Sequence, residues 1–221
     1  MAKVIFDIET IGEFEGLDED SQDYILKYAE DEKKKSDTKR KTALWPFTGQ
    51  IVALALLNPE TEKGKVYFQA PNKKIAKFSE NGADFEACSE KEILENFWND
   101  IKNYNQFITF NGRGFDCPYL FLRSAVLKIK ATKNLMPPRY SADRHVDLLE
   151  QLTFYGAFRK FSLDFYCRSL GIKSPKIGGI TGDKINKFFS EGKYLEIARY
   201  CLADVRATGE LYKRWVEYIA I

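Results

Sequence analysis

Cysteine is scarce and scattered. Cys88, Cys117, Cys167 and Cys201 are the four in the chain, and no two form a CxxC pair. That spacing indicates neither a zinc site nor a disulfide framework, so the four read as small core residues in a reducing compartment. Net charge is scarce too: 34 basic against 32 acidic residues leave +2. This is too little by itself to announce a nucleic-acid or membrane partner, although a charged fraction of 30% leaves room for local patches. No uninterrupted apolar stretch reaches the roughly eighteen residues of a membrane span. The chain enters a strand at once, with no basic segment and apolar signal run ahead of it. A soluble, cytoplasmic protein without a membrane partner is expected.

The 221 residues are 44% hydrophobic, enough for one sizeable core, and no composition shift marks a second domain. A first strand covers about residues 2 to 9. It gives way to a stretch from about 13 to 43, acidic and then basic, whose charge density predicts a solvated, partly flexible insertion with one short helix near 22 to 29. GQIVALALLNP reads as a buried strand, and KGKVYFQA as the strand returning beside it. SEKEILENFWNDIKNY opens on a capping box, Ser89 with Glu92, and places Ile93, Leu94, Phe97 and Ile101 at helical spacing. QFITF is the next strand, and the glycine-rich corner NGRGFDCP leads into a helix through Pro118. Residues 145 to 149 suggest another strand, SLDFYCRSLG a helix closed by Gly171, and 193 to 219 a long last helix. Strands that come first as a hairpin-like set and later alternate with helices predict a mixed five-stranded sheet flanked by helices, in one α/β domain over residues 1–221.

Acids recur at places those elements can position. In VIFDIET, residues 4 to 10, Asp7 and Glu9 share one face of the strand, and Phe6 and Ile8 share the other. Adjacent carboxylates repel unless something positive lies between them. Asp116 stands where the corner meets its helix. Asp204 lies in YCLAD on the last helix, four residues after Tyr200 and on the same face.

DIET, NGRGFDCPYL and YCLAD together resemble the three motifs of the DEDD superfamily of 3′–5′ exonucleases, and the tyrosine four residues before the last aspartate resembles its tyrosine subclass. The spacing from Asn111 to Phe115 and Asp116 is similar to that of the proofreading domain of family-B DNA polymerases and of stand-alone polymerase-B-like exonucleases. The histidine subclass would place its histidine at Arg199. The lone histidine, His145, reads as structural at a strand end, and Asp147 likewise.

The resemblance runs from residue 3 to about residue 215 and implies a ribonuclease H-like fold. It also implies a two-metal-ion 3′–5′ exonuclease that releases nucleoside 5′-monophosphates from single-stranded 3′ ends, DNA preferred. On this likeness Asp7, Glu9 and Asp204 would bind one divalent cation, Mg2+ or Mn2+. Asp7 would bridge to a second cation, Asp116 would hold that second one, and Tyr200 would orient the attacking water. Paired cations about 3.5–4 Å apart give such an acid cluster its physical reason. Without them the carboxylates should titrate together and high.

Substrate contacts leave alternatives. Phe115 either wedges against the terminal base or packs into the core, and Asn111 either bonds the terminal sugar or phosphate or forms the turn before Gly112. Gly112, Arg113 and Gly114 offer N–H groups and a cation that would suit a phosphate. Trp45 and Phe47 either stack on nucleotides or plug the sheet end. GDKINKFFSEGK either lines the strand's path or forms an ordinary amphipathic helix. Two other functions use the same residues: an RNA exonuclease, because only sugar contacts separate the substrates, and a nucleic-acid-binding module that does not cleave. No protein partner is legible.

Overall fold

The computed structural model describes residues 1–176 and 179–220, and a seven-stranded sheet organises them. In chain order the strands are β1 (Lys3–Gly12), β2 (Gly49–Leu57), β3 (Gly64–Phe68), β4 (Phe78–Glu80), β5 (Ala83–Ala87), β6 (Gln106–Thr109) and β7 (His145–Asp147). The helices are α1 (Glu19–Leu26), α2 (Glu32–Lys41), α3 (Glu90–Asp100), α4 (Asp116–Val126), α5 (Leu148–Leu152), α6 (Leu163–Ser169), α7 (Ile185–Ser190) and α8 (Tyr194–Tyr218). Across the sheet the order is β4-β5-β3-β2-β1-β6-β7. β1 runs antiparallel to β2 and parallel to β6, so the sheet is mixed, as the element order predicts.

Side-chain alternation along β1 divides the core. Val4, Phe6 and Ile8 join Ile93, Leu94, Phe97 and Trp98 of α3 and Leu120 of α4 on one face. Ile5 and Ile11 join Ile197, Cys201, Leu202, Val205 and Leu211 of α8 on the other. With both faces covered, β2 reads as a nearly continuous apolar run. The long helix α8 lies close on the sheet at Gly209, where an added Cβ would stand 3.0 Å from Ile5 Cδ1. The capping box of α3 forms as its sequence predicts. The next residue does more than the pattern suggested: buried Glu90 accepts from Ile51 N at 2.8 Å and pairs with Arg123 at 2.7 and 2.8 Å, joining α3, β2 and α4.

The sheet has two strands beyond the five expected. β4 and β5 form an edge hairpin that turns through Asn81 and Gly82, both left-handed at φ 50 and 78°. Strands of three and five residues hold too few periods to register as alternation. Within the stretch from 13 to 43 neither α1 nor α2 buries a residue, whereas Phe14 and Thr42 near its two ends are buried. Its short helix begins earlier than expected, and α2 was not legible because EKKKSDTKRK contains no apolar residue to set a period. All four cysteines are free thiols. Among the described residues, no helix is long and apolar enough to cross a membrane.

Candidate active site

The site forms where β1 outruns its parallel neighbour. Pairing of β1 with β6 ends at Ile5 opposite Ile108, which frees backbone groups farther along that edge for other partners. Asp116, the first residue of α4, takes one of them: its Oδ1 accepts a hydrogen bond from Ile8 N at 3.0 Å. Its carboxylate is thereby fixed at the backbone between Asp7 and Glu9.

Asp7 and Glu9 stand opposite Ala55 and Ala53 of β2, small residues that let α8 approach. From α8, Cys201 Sγ lies 3.5 Å from the Asp7 carbonyl oxygen and 3.9 Å from Asp7 Oδ2. Ligand atoms of Asp7, Glu9 and Cys201 all fall within 4.8 Å of one another. Asp204 and Tyr200, one turn apart on the same helix, face this group. Sequence reading left Cys201 among the core cysteines. It is buried, and it also touches the acid cluster; its position three residues before Asp204 on a helix was the available signal.

The four acids influence one another electrostatically. Burial pushes the Asp7 carboxyl well up, and Asp116, Asp204 and Glu9 push it further. Burial likewise raises Glu9, followed by repulsion from Asp204 and Asp116. Asp116 is raised to about 7, chiefly by burial, although the Ile8 N–H opposes the shift. Asp204 is raised to about 7 by burial, with the Tyr200 hydroxyl opposing. The Tyr200 phenol itself is raised, first by burial and then by Asp204 and Glu9. Glu9 and Asp116 are buried and Asp7 and Asp204 half-buried, and carboxylates from three elements set this way suit hard divalent ions.

Asp147 is structural, as expected. At the end of β7 it accepts from Asn111 N (2.9 Å), Arg113 N (2.8 Å) and Leu149 N (3.0 Å), which ties the corner ahead of α4 to the sheet. His145 is structural too. Its Nδ1 meets Leu135 O at 2.9 Å, and a carbonyl can only accept, so Nδ1 carries the proton and Nε2 accepts from Thr109 Oγ1 at 2.8 Å.

The corner does not offer the phosphate cradle expected of Gly112, Arg113 and Gly114. Arg113 N is taken by Asp147, and Gly114 N donates to Asn111 O at 3.0 Å. The Arg113 guanidinium is buried, donating to Pro137 O at 2.9 Å and facing Glu150 at 3.5 Å. Buried donors need partners, and these have them. Asn111, left-handed at φ 64°, is exposed beside this corner. Phe115 is half-buried, with its ring 5.5 Å from that of Tyr119. Trp45 and Phe47, ahead of β2, are 38% and 64% exposed.

A protein family described as a predicted 3′–5′ exonuclease related to the exonuclease domain of PolB matches residues 51–219. The chain belongs to this family. The matched span includes Asp116, Tyr200 and Asp204 and begins after Asp7 and Glu9, which the fold brings to them. The chain is 28% identical to DNA polymerase 1 of Sulfurisphaera ohwakuensis over 124 residues, 49% of this chain and 13% of the polymerase. It is 27% identical to DNA polymerase 1 of Sulfolobus acidocaldarius over 138 residues, 56% of this chain and 15% of the polymerase. The structure of the family B DNA polymerase from Pyrobaculum calidifontis superposes with a TM-score of 0.63 at 18% identity, covering 98% of this chain and 24% of that one. At that identity the likeness is one of fold, in keeping with the ribonuclease H-like mixed sheet flanked by helices. The alignments therefore span a small part of each polymerase.

Proposed function

We propose that the protein is a metal-dependent 3′–5′ exonuclease that removes nucleoside 5′-monophosphates from the 3′ ends of single-stranded DNA. Supporting this reading is the mutual influence of Asp7, Glu9, Asp116 and Asp204, of which Glu9 and Asp116 are buried and Asp7 and Asp204 half-buried. Buried like charges are costly unless a positive charge joins them. Asp7, Glu9 and Asp204 would hold one divalent cation, and Asp7 and Asp116 a second, magnesium or manganese. Bound there, such ions supply Lewis-acid activation of water and offset charge on the leaving oxygen.

The chain's own groups supply position. The Ile8 N–H fixes the Asp116 carboxylate. With its phenol held protonated, Tyr200 orients the attacking water by hydrogen bonding and does not serve as a base. Asn111 and Phe115, beside Asp116, would engage the terminal nucleotide. The resemblance to DNA polymerases favours DNA over RNA.

The test is a 5′-labelled single-stranded oligonucleotide incubated with protein and Mg2+ or Mn2+. Stepwise shortening from the 3′ end, faster for DNA than for a matched RNA and lost in Asp7→Ala, is expected. Intact substrate at high protein in both metals, or equal rates for wild type and Asp7→Ala, would overturn the proposal.

A further inference from the structure

The segment joining α5 to α6 carries a surface that the acid cluster does not explain. Phe154, Tyr155 and Gly156 take three successive left-handed conformations, with φ of 49, 57 and 99°, which bulky side chains rarely adopt. Local hydrogen bonds hold them there: Tyr155 N donates to Glu150 O at 2.7 Å and Phe158 N to Thr153 O at 3.0 Å. Gln151 Nε2 donates to the Tyr155 hydroxyl at 2.8 Å. The result is display of aromatic rings in solvent. Phe154 and Phe158 are 59% and 67% exposed, with ring centroids 5.7 Å apart. Tyr140, 76% exposed, lies 5.0 Å from the Tyr155 ring.

Cations are interleaved with these rings. Arg159 and Lys160 are exposed, and the Arg159 guanidinium lies 5.1 Å from the Phe161 ring. The surface adjoins the corner that precedes Asp116. A cavity of about 490 Å³ is lined by Asn111 and Gly114 of the corner before Asp116 and by Tyr155, Gly156 and Lys160.

We propose that this surface binds the single strand upstream of the 3′ end under attack, with bases stacked on Phe154 and Phe158 and phosphates met by Arg159 and Lys160. Exposed π-faces beside cations match the chemistry of unpaired bases on an anionic backbone, and stacking tolerates any sequence. The proposal rests on the exonuclease reading for the direction of the strand, but binding can be measured without cleavage.

The experiment is fluorescence anisotropy in EDTA with a labelled single-stranded DNA 20-mer and a labelled trimer, using wild type, F154A/F158A and R159A/K160A. The aromatic pair variant should lose about tenfold or more in affinity for the 20-mer, bringing its 20-mer to trimer ratio toward one. The charge variant should also weaken and show a shallower salt dependence, by about 0.7 in log–log slope per lost phosphate contact. These residues are exposed, and thermal melts check that both variants fold. Wild-type affinity in both variants overturns the inference, as does loss of self-association in F154A/F158A with DNA affinity unchanged. Weakened binding in the variants, without cleavage by wild type in Mg2+ or Mn2+, upholds this surface and removes the proposed activity. Cleavage with unaltered binding in both variants does the reverse.

Discussion

Asp116 Oδ1 accepts the Ile8 backbone N–H at 3.0 Å, joining residues 108 apart. One carboxylate thus takes a backbone donor of β1 and stands beside Asp7 and Glu9. The two roles separate by substitution. Asp116→Asn keeps an oxygen acceptor and removes the charge. In EDTA at pH 8 it should melt at or above the wild-type temperature while losing several kcal/mol of metal stabilisation, on the order of a hundredfold or more in cleavage rate. Asp116→Ala also orphans a buried N–H and should be less stable than Asp116→Asn by about 1–3 kcal/mol in denaturant unfolding.

Metal-free stability should fall as pH rises. Burial raises Asp116 and Asp204 to about 7 in the folded protein, against about 3.9 for an unfolded aspartate. Between those values the folded state binds more protons than the unfolded one, so stability declines from about pH 4 toward 7 and is lowest above. Asp7 and Glu9 are shifted in the same direction. In EDTA the melting temperature should be lower at pH 8 than at pH 5, by less in Asp204→Asn, and Mg2+ or Mn2+ should restore it at pH 8. Identical pH profiles for wild type and Asp204→Asn would contradict this.

Asp147 should matter through the corner it holds. Its carboxylate accepts three backbone N–H groups within 3.0 Å, and an amide there would turn donors toward donors. Asp147→Asn should cost roughly 3 kcal/mol in denaturant unfolding. Activity should fall with it because Asn111 and Asp116 flank the released turn.

Tyr200→Phe tests orientation apart from fold. The ring and its packing remain and the hydroxyl goes. A rate loss of about a hundredfold is expected, with a melting temperature close to wild type. A phenol that acts as a base would instead remove a pH limb from the rate profile.

What the sequence showed was what lies within one element. Asp7 and Glu9 share a face by the strand's period of two, and Tyr200 and Asp204 by the helix's turn. The order of strands and helices was enough for a mixed sheet. The Asp116 to Ile8 bond was hidden because it depends on β6 pairing with β1 only as far as Ile5, a tertiary fact with no local pattern. The burial of Arg113 was hidden for the same reason: its partners Pro137 and Glu150 are distant in the chain. The β4–β5 hairpin is too short to show a period. The aromatic display at Phe154 and Phe158 depends on left-handed angles that only Gly156 among the three residues would suggest.

The most direct measurement of the account is an electron paramagnetic resonance titration of Mn2+ at pH 7.5 on the wild type and Asp7→Asn. Two saturable ions per chain for the wild type, and a clear loss of both affinity and stoichiometry in Asp7→Asn, are predicted. Absence of saturable binding in the wild type, or equal binding by the two proteins, would contradict a cation site built from these four carboxylates.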